Sequence, residues 1–257
     1  MKRKLFYFGM AVLTAATLVS CNKKDDDNNG NNVTASKIKT ISVDYGDGVE
    51  GYEFTYNTNG TIASIKDTWE GTEVDNILFD YTVAGKLSIT KEGTTTVYEL
   101  DSKNRVVKEI WDASSYAAYE YDTKGFLDKI SEYWDGANHV KTVIANDGKN
   151  VTMITSYDDN GNITKYKTFT YTQGENATEI QQTNAVDSNW KVLGDLFGIP
   201  SARLVDYLEY WAPGNENSKS KTTITYTFDA MNRPATIVRA GDGWEEDYAY
   251  TYYADLK

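Results

Sequence analysis

Tryptophan is the residue type in this chain whose placement best suits recognition chemistry. Trp69, Trp111, Trp134 and Trp211 each precede a turn, and Trp244 follows Gly241-Asp242-Gly243. Indoles at chain reversals can stack on sugar rings or anchor a protein contact if they share one rim; the competing role is to close one end of a hydrophobic layer. Catalysis has little to draw on. His139 is the single histidine, beside the turn Gly136-Ala137-Asn138, so a Ser-His-Asp triad could be built only around it. Zinc would need ligands the chain lacks, and no phosphate-binding glycine pattern follows a strand and opens a helix. Glu245, Glu246 and Asp247, or Asp158 and Asp159, could supply a glycosidase's carboxylate pair, but among 38 acidic residues such neighbours arise without function. Asp158-Asp159-Asn160-Gly161-Asn162 carries calcium-like oxygens yet reads as hairpin-turn chemistry. Asp25, Asp27, Asn29 and Gly30 mimic the start of an EF-hand loop, with Ser36 where the bidentate Glu belongs. No enzyme, metal or cofactor is expected.

The N-terminus speaks to location. Lys2, Arg3 and Lys4 precede an apolar run from Leu5 to Val19, too short to span a bilayer comfortably, and residues 1–20 read as an export signal. The run ends in Leu18-Val19-Ser20-Cys21, which resembles a lipobox, the site of cleavage before a diacylated cysteine. Cys21, the single cysteine, is thus the expected lipid anchor, each buried methylene contributing roughly 0.8 kcal/mol. With no second cysteine, no disulfide can staple the fold. Removing residues 1–20 leaves 23 basic and 38 acidic residues, moving the net charge from −12 to −15. That charge argues against nucleic acid as a partner. Residues 21–36 have almost no apolar content and read as a disordered tether. Their Lys24-Asp25-Asp26-Asp27 resembles the signal that sends Bacteroidota lipoproteins to the outer face of the outer membrane.

Strands must position these residues. From Lys37 to the C-terminus, apolar and aromatic side chains alternate with polar ones, as in Tyr52, Phe54, Tyr56, in Tyr119, Tyr121 and in Tyr248, Tyr250, Tyr252. A period of two puts them on one face of a strand. One turn class runs from Asn or Asp to Gly or Asn: Asn57–Gly60, Asp101–Asn104, Asp122–Gly125, Asp147–Asn150, Asp158–Gly161 and Asp229–Asn232, with Thr82–Gly85 a weaker member. The second class follows tryptophan. Two classes at opposite strand ends give an up-and-down meander of about fifteen to eighteen short strands. After the first class, apolar residues recur two and five positions beyond the glycine, as with Ile62 and Ile65 or Leu127 and Ile130. Their opposite parity predicts a bulge or burial on both faces. Residues 187–198 read as a short helix, with Trp190, Leu193, Leu196 and Phe197 on one face and Gly198 and Pro200 stopping it.

The unit Tyr-x-Tyr-Asp-x-x-Gly-x-Leu-x-x-Ile at Tyr119–Ile130 resembles the tyrosine-aspartate repeats of RHS-type surface proteins. Leu196-Phe197-Gly198-Ile199-Pro200-Ser201-Ala202-Arg203-Leu204, then Thr222 to Asp229 and Asn232-Arg233-Pro234, resembles more closely a family of Bacteroidota lipoproteins of unknown function with a porin-like fold. That resemblance covers about residues 37–257. It implies a meander interrupted late by a short helical segment, and it brings no activity or site residues. Outward positions such as Lys37, Lys39, Thr40, Glu53 and Thr55 are polar, unlike the lipid-facing band of a transmembrane barrel. The expected architecture is all-β: an antiparallel meander of hairpins over 37–257, forming a soluble porin-like barrel or strongly curved sheet with one helix near 187–198. The expected role is a lipid-anchored, surface-exposed outer-membrane protein that binds glycan or protein without catalysis. A structural or accessory subunit of an outer-membrane assembly is the alternative, and a carboxylate-pair glycoside hydrolase the third.

Overall fold

In the computed structural model, residues 37–176 and 194–253 are described. The expected export signal, Cys21, the expected 21–36 tether and Trp190 lie outside them. Sixteen strands follow one another: β1 (Ile38–Asp44), β2 (Val49–Tyr56), β3 (Ile62–Trp69), β4 (Thr72–Asp80), β5 (Lys86–Lys91), β6 (Thr94–Leu100), β7 (Val106–Ile110), β8 (Tyr116–Tyr121), β9 (Leu127–Trp134), β10 (Ala137–Asn146), β11 (Val151–Tyr157), β12 (Ile163–Glu175), β13 (Arg203–Trp211), β14 (Ser220–Phe228), β15 (Pro234–Gly241) and β16 (Trp244–Tyr252). Each pairs antiparallel with its chain neighbours, and β1 pairs with β16, closing the barrel.

Sixteen strands usually leave an aqueous channel. Here alternation fills the interior: Phe54, Ile65, Leu87, Ile89, Tyr98, Ile144, Ile237 and Tyr248 point inward, almost fully buried, and join one continuous core. The outer wall carries Lys66 paired with Glu73, Lys129 with Glu120, and threonine ladders such as Thr227–Thr236.

The two ends differ because their turns differ. At one end the short connections are Asx turns. The Asp122 carboxylate accepts from the amides of Lys124, Gly125 and Phe126, and Gly125 closes the turn at φ 104°. Asp101 and Asp229 repeat this, each also holding an arginine, Arg105 or Arg233, whose guanidinium lies over Tyr121 or Tyr252. At the other end Glu70-Gly71, Glu92-Gly93 and Asp135-Gly136 place both central residues at positive φ, the tight reversal that matches strand twist. The Asp158–Gly161 turn departs from the expected segregation. It has Asx chemistry but joins β11 to β12, at the tight-turn end.

Bulges resolve the parity of the apolar pairs. An extra residue enters the strand after the turn: Ala63 in β3, Asp128 in β9. Ile62 and Ile65, and Leu127 and Ile130, consequently all face inward and are buried. A bulge also takes a carbonyl out of the ladder, and tyrosine supplies the missing donor. Tyr56, Tyr121, Tyr171, Tyr226 and Tyr252 donate to the carbonyls of Ile38, Val106, Val151, Val205 and Pro234. In all five cases the acceptor immediately precedes the bulged residue: Lys39, Val107, Thr152, Asp206 or Ala235.

The helix expected over 187–198 lies mostly outside the described residues. Its described end, Gly194–Phe197, is a single 3-10 turn and not part of an α-helix. This segment plugs the Asx end. Leu196 and Phe197 are buried, Phe197 lies 5.1 Å from the Tyr119 ring, and Tyr121 donates to the Leu196 carbonyl. The Gly-Ile-Pro-Ser run then docks on two turns: Ile199 N–H donates to Gly125 O, Ala202 N–H to Lys149 O, and the Ser201 hydroxyl accepts from Val151 N–H. Gly198 is required there. It sits at φ 95°, and a Cβ would lie 2.8 Å from the Gly125 carbonyl oxygen. Gly198→Ala should therefore cost about 1–3 kcal/mol, read as a lower denaturant midpoint; an unchanged midpoint would contradict this account of the plug.

Candidate functional site

Alternation of the hairpins carries all five described tryptophans to the tight-turn end. Trp69, Trp111, Trp134 and Trp244 continue the inward-facing register of their strands, whereas Trp211 pairs with Tyr166 on the outer register. Their faces are not equally available. Trp134 stacks on His139 at 4.1 Å, and Trp211 is flanked by the Tyr166 ring and by Lys219 at 4.3 Å. Beside Tyr210 and Trp211 a cleft of about 420 Å³ is lined by Thr164, Lys165, Asn215, Ser218 and Ser220. Trp69, Trp111 and Trp244 are the exposed members, at 41, 46 and 38%. Trp69 packs against Gly48, where a Cβ would meet its ring at 2.2 Å, and Trp244 packs similarly against Gly241.

Trp69 and Trp244 belong to one arc of the wall, because β16, β1, β2 and β3 are consecutive neighbours. Below them the inward face changes character. Glu50 and Asp67 occupy core positions, only 8 and 5% exposed, where the alternation would place apolar residues. Tyr45 donates to Glu50 Oε2 at 3.1 Å. On the far side of the arc Arg239 meets Glu246 at 3.5 Å, and Tyr248 donates to the same Glu246 oxygen at 2.8 Å. One ladder row reads Asp75, Asp67, Tyr52, Ile41, Tyr250. Asp67 and Asp75 thus stand directly opposite one another, an unfavourable like-charge pair, and a bulge at Val74 interrupts the ladder beside them.

Partners are short in this row. Asp67 Oδ1 and the Tyr250 hydroxyl are buried without a hydrogen-bond partner. Burial, then the Glu50 charge, pushes the Asp67 carboxyl up to about 6 against the opposing pull of Lys91, with Asp75 and Glu92 adding to the rise. Burial raises Glu50 as well, although hydrogen bonds from Tyr52 and Tyr45 counter it.

The other sequence candidates resolve differently. Glu245 and Asp247 are exposed on β16, so the acidic triplet contributes Glu246 alone to the interior. Asp158 is occupied by its own turn amides, and Asp159 pairs with Lys141, which also meets Glu132 at 3.2 Å. Among the described residues no group of three or more His, Cys, Asp or Glu is arranged to hold a metal ion. Tyr45, Glu50, Asp67 and Arg239 are additions the sequence reading missed; their signal is a charge or hydroxyl breaking the apolar alternation, as in Ile65-x-Asp67-x-Trp69.

Solved structures share this architecture. A porin-like protein from Bacteroides uniformis is similar over 84% of this chain and 98% of its own, with a TM-score of 0.67 at 17% identity. A porin-like protein from Bacteroides vulgatus is similar over 85% of this chain and 99% of its own, with a TM-score of 0.57 at 11% identity. No family model matches the sequence, and no curated protein does. At these identities the likeness is one of fold: an all-β, sixteen-stranded closed barrel of the porin-like kind.

A raised carboxyl favours folding when protonated. Asp67 thus contributes most favourably below the ordinary value of 3.8, and that contribution is lost as pH rises through about 6. Asp67→Asn should leave thermal stability near pH 4 unchanged and raise the midpoint by roughly 2–4 °C near pH 7.5. Destabilisation at both pH values would show that the ionised carboxylate is well satisfied.

Proposed function

We propose that this chain is a non-catalytic glycan-binding barrel, held at the outer membrane by a lipid on Cys21 and facing water at the cell surface. The observation that carries the binding reading is the gathering of Trp69, Trp111, Trp134, Trp211 and Trp244 at one end. Exposed Trp69 and Trp244 flank an inward polar wall of Tyr45, Glu50, Asp67, Arg239 and Glu246. Indole faces for sugar rings beside hydrogen-bonding groups for hydroxyls is the composition a carbohydrate site requires.

Scattered apolar exposure elsewhere favours this over a protein-docking accessory subunit. Among the described residues, exposed Val74 and Leu78 lie on β4, while Phe228 and Met231 lie at the Asx end. The water-facing reading rests on the polar outer wall and apolar interior, the reverse of a lipid-spanning barrel. Anchoring rests on the lipobox-like Leu18 to Cys21, the outward location on Lys24 to Asp27, and membership of the Bacteroidota lipoprotein family on the motifs around Gly198 and the porin-like fold.

A glycan array probed with the protein lacking residues 1–20 tests the reading. Saturable binding should fall about tenfold or more in Trp69→Ala or Trp244→Ala, and less in Trp134→Ala, whose ring is engaged by His139. A folded protein that binds no glycan, or binds one independently of these residues, would overturn it. Cys21→Ala in the full chain should move the protein out of the membrane fraction; retention there would contradict the anchor.

A further inference from the structure

Negative charge on the inner wall beneath Trp69 exceeds the positive charge that faces it. Glu50 from β2, Asp67 from β3 and Asp75 from β4 point inward, with Glu92 in the next turn adding to the field, and Lys91 of β5 is the cation that acts on both Glu50 and Asp67. Most of these acids have assigned partners. Glu50 accepts from Tyr45 and Tyr52, and the Asp75 carboxylate accepts from the amides of Asn76 and Glu92. Asp67 differs, because Oδ1 is enclosed yet has no donor. A carboxylate oxygen in that state forfeits hydration without compensation. The Val74 bulge interrupts the ladder beside Asp67, and the indole above it packs against Gly48.

We propose that the Glu50–Asp67 wall beneath Trp69 binds the protonated amine of an amino sugar, the ammonium held against the Asp67 carboxylate while the indole covers the sugar ring. This rests on the glycan-binding reading and names its ligand class. An ammonium brings three donors and one positive charge into a site short of both, and the electron-rich indole face adds a cation–π attraction. A neutral sugar would supply donors but leave the excess charge uncompensated. A carboxylated sugar would add to it. The groups that set the pH response are Asp67, Glu50, Asp75 and Glu92 against Lys91, with Tyr45 and Tyr52 hydrogen-bonded to Glu50.

The test is a calorimetric titration of the protein with two probes of equal length: a glucosamine tetramer with free amines and its fully N-acetylated counterpart, at about pH 6.5, where both Asp67 and the amines carry charge. The free-amine tetramer should bind about tenfold or more tighter. Its affinity should fall on either side, as Asp67 takes up a proton in acid and the amines lose theirs in base. Asp67→Asn should remove the preference, and Glu50→Gln, which keeps the shape and hydrogen-bonding capacity of the site, should reduce it; thermal melting establishes that both variants fold. Equal binding of the two tetramers would overturn the ammonium site and leave glycan binding standing. A preference that survives both substitutions would place the charge effect elsewhere on this acidic surface and equally overturn the site. Binding of neither tetramer overturns it as well, and the array then decides glycan binding independently.

Discussion

The barrel depends on the tyrosine hydroxyl that caps a bulged carbonyl. Sixteen short strands can bury one face each, but the apolar pairs after turns such as Asn57–Gly60 and Asp122–Gly125 have opposite parity, and a regular strand would expose one of each pair. The bulge turns both inward at the expense of a ladder hydrogen bond. Leaving the freed carbonyl buried and unpaired would cost on the order of 1–3 kcal/mol each time. Tyr56, Tyr121, Tyr171, Tyr226 and Tyr252 remove that cost, each reaching to the preceding strand. Burial pushes the hydroxyls of Tyr56, Tyr121 and Tyr171 well above the ordinary range, so these donors stay protonated at any physiological pH. The tyrosine-aspartate repeat is thus one device: tyrosine to cap the bulge, aspartate to order the turn beside it.

This device concentrates order at one end. The Asx end has capped bulges, turns held by their own carboxylates, arginines laid over tyrosines, and a plug keyed by Gly198. The other end includes four two-residue reversals and spends its aromatic side chains at the rim. It also holds facing aspartates, an orphaned carboxylate oxygen, and a bulge at Val74 beside them. Unfavourable local arrangements that persist in a well-packed framework are where recognition sites are commonly found. The contrast between the ends is the physical reason for placing binding at the tryptophan rim.

Much of the architecture was legible in the sequence, because its signals are local. Period-two alternation gave the strands, the Asp-x-x-Gly spacing gave the turns, and the parity conflict at Ile62 and Ile65 gave the bulge. Alternation of turns also implied that the tryptophans share an end. What escaped depends on long-range register. The Asp158–Gly161 turn looks like its relatives, and only the strand count sends it to the opposite end. Residues 194–197 have helical spacing, but docking on the Gly125 and Lys149 turns leaves just a 3-10 turn there. The pairing of Asp67 with Asp75 and the row it forms with Tyr250 follow from four registers at once. Which indole faces are free likewise depended on neighbours across strands, His139 for Trp134 and Gly48 for Trp69.

The central claim is that ligands are recognised at the tryptophan end and not at the plugged one. The most direct measurement is a heteronuclear NMR titration that follows the indole N–H resonances of uniformly labelled protein against glycan mixtures, with assignments made by single substitution. The account predicts saturable shifts of the Trp69 and Trp244 indoles, with backbone amides around Gly125, Gly198 and Ser201 unmoved. Shifts confined to those amides, or indoles indifferent to every glycan, would contradict it.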